Sequence, residues 1–158
     1  MEKWQPDDFT QGRIDHHGEV RAHQGSAFWT FREGGKSKLC GWSGVPRRQA
    51  ARLALAPGVG YGGGAFNPAG DGVLLVAEGR VWRENDGRLQ ALTPAFGAAA
   101  DPLPRPGGPE VVFVHSYEGR DVLALAVGAE DWPRVLAAGA DFYMQPAWSP
   151  DGARLAWV

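Results

Sequence analysis

The chain has 158 residues, 44% of them apolar and 22% charged, with a formal net charge of −2. That composition excludes a disordered or membrane-spanning chain, and the absence of a Lys/Arg block argues against nucleic acid or a membrane surface as the main partner. Its 23 glycines and 12 prolines, about a fifth of the residues, disfavour long helices and favour short elements joined by tight turns.

In chain order, Met1 to Arg13 is polar and lacks the apolar segment of a secretory signal, which points to a cytoplasmic location. Phe9 to Asp15 can supply one strand. His16, His17 and His23 invite a metal reading, but no fourth ligand stands at a persuasive spacing and adjacent strand residues point to opposite faces, so a solvated loop is expected. A first, degenerate blade-like unit is expected over 20–57, with strands at Ala27–Arg32, Lys38–Trp42 and Ala51–Ala56. Cys40 is the single cysteine and lies in an alternating stretch, where a buried thiol is expected. Gly41-Trp42-Ser43-Gly44-Val45 is one residue out of register with a G-x-S-x-G nucleophile elbow. No helical run follows, so Ser43 is not expected to be catalytic.

Gly58, Gly60 and Gly63 form a G-x-G-x-x-G pattern. A dinucleotide loop must open a helix, and here Asn67-Pro68 and a β-type run follow, so no cofactor is expected and the glycines read as a close-packed strand or loop. A second unit over 61–96 carries strands at Val73–Val76, Arg80–Arg83 and Arg88–Leu92, with Asp86-Gly87 suited to a type I′ hairpin. A third, over 101–139, carries strands at Glu110–Val114, Asp121–Val127 and Arg134–Ala137. Trp132 to Ala140 also suits a short helix, although Pro133 and the repeat register favour a strand. Asp7-Asp8 and Glu130-Asp131 read as exposed turns, and Trp82, Trp148 and Trp157 as ring fillers between sheets. The segment 141–158 reads as the first strand of a fourth unit, entered through the type I turn Ser149-Pro150-Asp151-Gly152.

These units repeat. Pro68, Pro106 and Pro150 are 38 and 44 residues apart, and Glu33-Gly34, Glu78-Gly79 and Glu118-Gly119 are 45 and 40 apart. Val73–Val76, Val111–Val114 and Leu155–Val158 are apolar at every position, the pattern of a strand covered on both faces. Together these features predict an all-β fold of antiparallel meander sheets, about three and a half blades of a larger β-propeller. A propeller takes about 4 to 8 blades, so the chain is expected to be a truncated or proteolysed piece, or to have its open edge covered by another copy. No catalytic, metal or cofactor residue is assigned.

Tyr61-Gly62-Gly63-Gly64-Ala65-Phe66, Leu92-Thr93-Pro94, Gly139-Ala140-Asp141-Phe142-Tyr143 and Ser149-Pro150-Asp151-Gly152 with Leu155-Ala156-Trp157 add a family signal. In that order and spacing they resemble the N-terminal β-propeller of prolyl oligopeptidase family serine peptidases, the acylaminoacyl-peptidase and dipeptidyl-aminopeptidase-like branch. The resemblance covers 61–158 well and 1–60 loosely. It departs from the family at Asn67 to Gly72, which replaces a short turn, and in the first unit. It implies a propeller that gates and selects peptide substrates for an α/β-hydrolase domain of the same protein, often in an oligomer. The Ser, Asp and His of the hydrolase triad match no residues of this chain. The Ser-Pro-Asp-Gly turn is shared with TolB-type propellers, and the alternative is a TolB-like scaffold for protein–protein binding without enzymatic activity.

Overall fold

A computed structural model describes residues 17–42, 44, 46–47, 53–59, 63–70 and 72–158. Among them the chain is all-β, with no helix. The first sheet is formed by β1 (His17–His23), β2 (Ser26–Glu33), β3 (Lys36–Trp42) and β4 (Pro46–Arg47). The second contains β5 (Phe66–Ala69), β6 (Gly72–Ala77), β7 (Arg80–Asn85) and β8 (Arg88–Ala91). The third contains β9 (Ala98–Pro104), β10 (Val111–Tyr117), β11 (Arg120–Ala126) and β12 (Arg134–Ala138). A last hairpin pairs β13 (Ala147–Trp148) with β14 (Leu155–Ala156). Every sheet is an antiparallel meander in chain order, as in propeller blades, and the series is not closed into a ring.

The turns follow from their residues. Gln24-Gly25, Glu78-Gly79, Asp86-Gly87 and Glu118-Gly119 each place two consecutive residues at positive φ, which is the type I′ geometry that matches strand twist. At the first Glu-Gly marker the turn is instead Gly34-Gly35, and Glu33 is the last residue of β2. The expected type I turn closes, with the Gly152 N–H donating to the Ser149 carbonyl at 2.8 Å.

The all-apolar strands are covered on both faces because consecutive sheets stack. Alternate residues of β6 go to different cores: Leu74 and Val76 pack with Val81, Val111, Phe113 and Ala124. Val73, Leu75 and Ala77 pack with Leu39, Leu55 and Phe66. β10 divides in the same way, with Val112 and Val114 joining Leu123 and Tyr143 in a third core against Trp148 and Leu155 of the last hairpin. Each such fully buried side chain contributes about 1.5–3 kcal/mol.

The expected third strand of the first sheet, Ala51–Ala56, lies partly outside the described residues, which lack 51 and 52; its Leu55 makes an antiparallel bridge to Ser37 of β3, along the same edge that pairs with Pro46–Arg47. Three expectations are corrected. His17 and His23 belong to β1, not to a loop, while His16, Phe9–Asp15, Asp7-Asp8 and Ser43 lie outside the described residues. Each sheet also has a first strand ahead of the marker turn (β5, β9 and β13), because that turn joins the first strand to the second. Trp157 is 45% and Val158 70% exposed, so the end of the last hairpin is not covered on both faces. The segment Trp132 to Ala140 resolves in favour of the strand, and Cys40 is a buried thiol.

Candidate functional site

Where the first strands of successive sheets meet, they line a cavity to which several sheets contribute. It measures about 330 Å³ and is lined by Arg21 of β1, Phe66 and Asn67 of β5, Asp101 of β9, and Gln145 and Pro146 ahead of β13. Three of these are the polar residue of a polar-proline dipeptide: Asn67-Pro68, Asp101-Pro102 and Gln145-Pro146, 34 and 44 residues apart. In each, the proline is buried and the polar side chain is left at the cavity. Proline has no N–H and cannot complete a ladder bond, so it suits a first strand that bends out of its sheet.

Asp101 is the most constrained of the three. It sits at φ +49, in the left-handed region that Asp visits more readily than most side chains, and Gln145 shares that conformation at φ +51. The register of β9 on β10 slips between Val112 and Val114, directly opposite, so Asp101-Pro102 is a β-bulge that re-aims the carboxylate. Its Oδ1 accepts from the Gly64 N–H, and its Oδ2 accepts from the Gln145 N–H at 3.2 Å. The Asp101 N–H in turn donates to the Gly64 carbonyl at 2.8 Å. One residue of the third sheet thereby ties the loop entering the second sheet to the segment entering the last hairpin.

Glu19 of β1 makes the matching tie, accepting from the Ala65 N–H at 2.8 Å and pairing with the Arg21 guanidinium. Burial raises the Glu19 carboxyl above its ordinary value, and the nearby Asp101 charge adds to this. The Ala65 hydrogen bond and the Arg21 charge act in the opposite direction. Gly64 lies between the two acids: a Cβ there would come within 2.5 Å of an Asp101 oxygen and 2.8 Å of a Glu19 oxygen. Glycine is required at this point for close approach, and the same holds for Gly58 and Gly63, whose Cβ positions fall 2.7 Å from Ala98 and Ala100. The G-x-G-x-x-G glycines therefore pack a loop against β9 as expected, with Gly60 outside the described residues.

One solved structure similar to this chain is that of a Mycobacterium tuberculosis puromycin-hydrolyzing peptidase. It has 26% sequence identity and a TM-score of 0.77 over 91% of this chain. The fold is peptidase-related. The similarity covers 26% of the peptidase chain, so this sequence spans about a quarter of that protein's length. No family model matches the sequence, and no curated protein matches it either.

Within this peptidase-related fold the residues weighed from sequence fall apart. Glu130 and Asp131 lie in an exposed loop, and His23 lies at the end of β1. Among the described residues no group of three or more His, Cys, Asp and Glu is placed to hold a metal ion, and no helix is long and apolar enough to cross a membrane. Glu19, Asp101 and Gln145 were not singled out by sequence reasoning. The recurring polar-proline dipeptide was the available signal, and it is easily hidden by the more conspicuous Pro-Gly turns that follow it.

A second buried ionisable group, His115 of β10, lies away from the cavity. Its Nε2 is 2.8 Å from the Phe96 carbonyl, which fixes that nitrogen as the donor, and its ring is flanked by Phe113, Tyr117 and Trp132. Burial lowers its pKa, opposed by the Phe96 bond.

Proposed function

We propose that this chain is propeller blades of a serine peptidase of the prolyl oligopeptidase family, of the acylaminoacyl-peptidase or dipeptidyl-aminopeptidase-like branch. In this reading the blades gate and select peptide substrates for an α/β-hydrolase domain carried elsewhere in the protein. The observation that carries the reading is the similarity to the puromycin-hydrolyzing peptidase over 91% of this chain. The order of the Tyr-Gly-Gly-Gly, Leu-Thr-Pro and Ala-Asp-Phe-Tyr segments supports the branch.

The cavity between the first strands suits the role. Asn67 and Gln145 bring carboxamides, which match the donors and acceptors of a peptide backbone, and Asp101 brings a carboxylate that favours neutral or cationic segments. A space of about 330 Å³ takes a few side chains of an extended peptide and no folded domain.

The reading is tested on the complete reading frame that contains this chain. The frame should encode a G-x-S-x-G elbow followed by Asp and His, and its product should cleave a chromogenic peptide that this chain alone does not turn over. Further blades followed by a stop codon, without such an elbow, would sink the peptidase reading and leave a protein-binding scaffold. Turnover by this chain alone would also overturn it.

A further inference from the structure

We propose that the outer hairpin of the second sheet is a binding site for a small oxyanion of phosphate or carboxylate type, gripped by Arg83 and Arg88. A concave surface of about 580 Å³ is lined by Arg83, Asn85, Asp86, Arg88 and Gln90. In the β7–β8 register Arg83 is opposite Gln90 and Asn85 is opposite Arg88. Strand alternation puts these four residues on one face, with the two arginines on a diagonal of roughly 7–8 Å. Two long guanidinium side chains on that diagonal can converge on one anion, each offering two parallel N–H donors, and Gln90 adds a carboxamide.

Packing does not account for the pair. The same face of β7 begins with Val81, which is buried in the core shared with the third sheet, and leaves that core at Arg83. Elsewhere Arg21, Arg105 and Arg120 pair with Glu19, Glu110 and Glu118, and Arg80 lies over the Trp82 ring. Among the described residues Arg83 and Arg88, like Arg32, Arg134 and Arg154, have neither an acidic nor an aromatic partner; what sets the two apart is that both line one concave surface. Like charges placed diagonally across a hairpin repel each other, and a bound oxyanion reverses the sign of that interaction. Asp86, in the turn at φ +46, is the opposing charge: it leaves the five lining residues at a net +1 and limits the strength of the site.

The test is calorimetric titration of the 158-residue chain with inorganic phosphate and, separately, with glutarate. Saturable binding with Kd near or below about 1 mM is expected, weakening as NaCl is raised. R83Q and R88Q should each weaken it about tenfold, the loss of one charge-assisted contact, whereas R154Q on the last hairpin should leave it unchanged. D86N should tighten binding. Asn tolerates the left-handed turn position, so this gain cannot be produced by a folding defect. Binding of phosphate alone assigns a phosphoryl ligand, and binding of glutarate alone assigns a carboxylate ligand. Absence of saturable binding by both overturns the site, as does an affinity that R83Q, R88Q and D86N leave unchanged or that R154Q weakens equally.

Discussion

Replacing Asp101 tests whether its carboxylate ties three successive sheets together. In D101A the N–H of Gly64, which is buried, loses its acceptor, at a cost of about 1–3 kcal/mol. The Gln145 N–H is exposed and water replaces much of its bond, so that loss adds about 0.5 kcal/mol. Wild-type aspartate already holds φ +49, so the conformation adds little to the difference between D101A and wild type, whereas glycine adopts it about 1 kcal/mol more readily than alanine. The lost bonds sum to about 1.5–3.5 kcal/mol for D101A, with D101G less destabilised by about 1 kcal/mol. D101N keeps one oxygen and tolerates the conformation, so it should lose only about 1–2 kcal/mol. Urea unfolding of the chain, followed by far-UV circular dichroism, should place D101A below wild type, D101N and D101G. If D101A lay within 0.5 kcal/mol of wild type, or were no worse than D101G, the bulge-and-clamp account would be wrong.

Thr93 provides a second test, because its Oγ1 accepts from the buried Val81 N–H at 3.0 Å. T93V conserves shape and removes the acceptor, so its unfolding free energy should fall by about 1–3 kcal/mol, and an unchanged denaturation midpoint would count against the bond. Glu19 and His115 should pull stability in opposite directions with pH. His115 has its folded pKa lowered, so its contribution is fully present above the ordinary value of 6.5 and is lost as pH falls through the lower folded value. In an H115Q variant the stability lost on acidification from pH 7 should be smaller than in wild type, and an identical pH profile would refute the assignment. Glu19 has its folded pKa raised, so its contribution is fully present below 4.5 and is lost as pH rises through the folded value. E19Q should remove that component from a thermal-melt series across acidic pH, which fails if the wild-type and variant curves run parallel.

Much of the sheet structure was legible in the sequence because its causes are local. Val73–Val76 and Val111–Val114 are apolar at every position, which only a strand buried on both faces tolerates, and both lie in second strands between stacked sheets. Asp86-Gly87 and the Ser-Pro-Asp-Gly turn carry their geometry in their own residues. The apolar pattern misleads at Trp157, where burial depends on a neighbouring surface rather than on the residue itself.

The candidate site was not legible in this way. β5 and β9 contain prolines and few alternating residues, so nothing local marks them as strands. They are strands by virtue of pairing with the edges of β6 and β10. Asp101 and Glu19 look like ordinary surface acids in sequence. Their amide partners, Gly64 and Ala65, are 37 and 46 residues away, and only the stacking of sheets brings them within bonding distance. The all-β meander, its turns and its doubly buried strands follow from residues close together in the chain. Which polar side chains share a cavity follows instead from how far each sheet is rotated and bulged against the next.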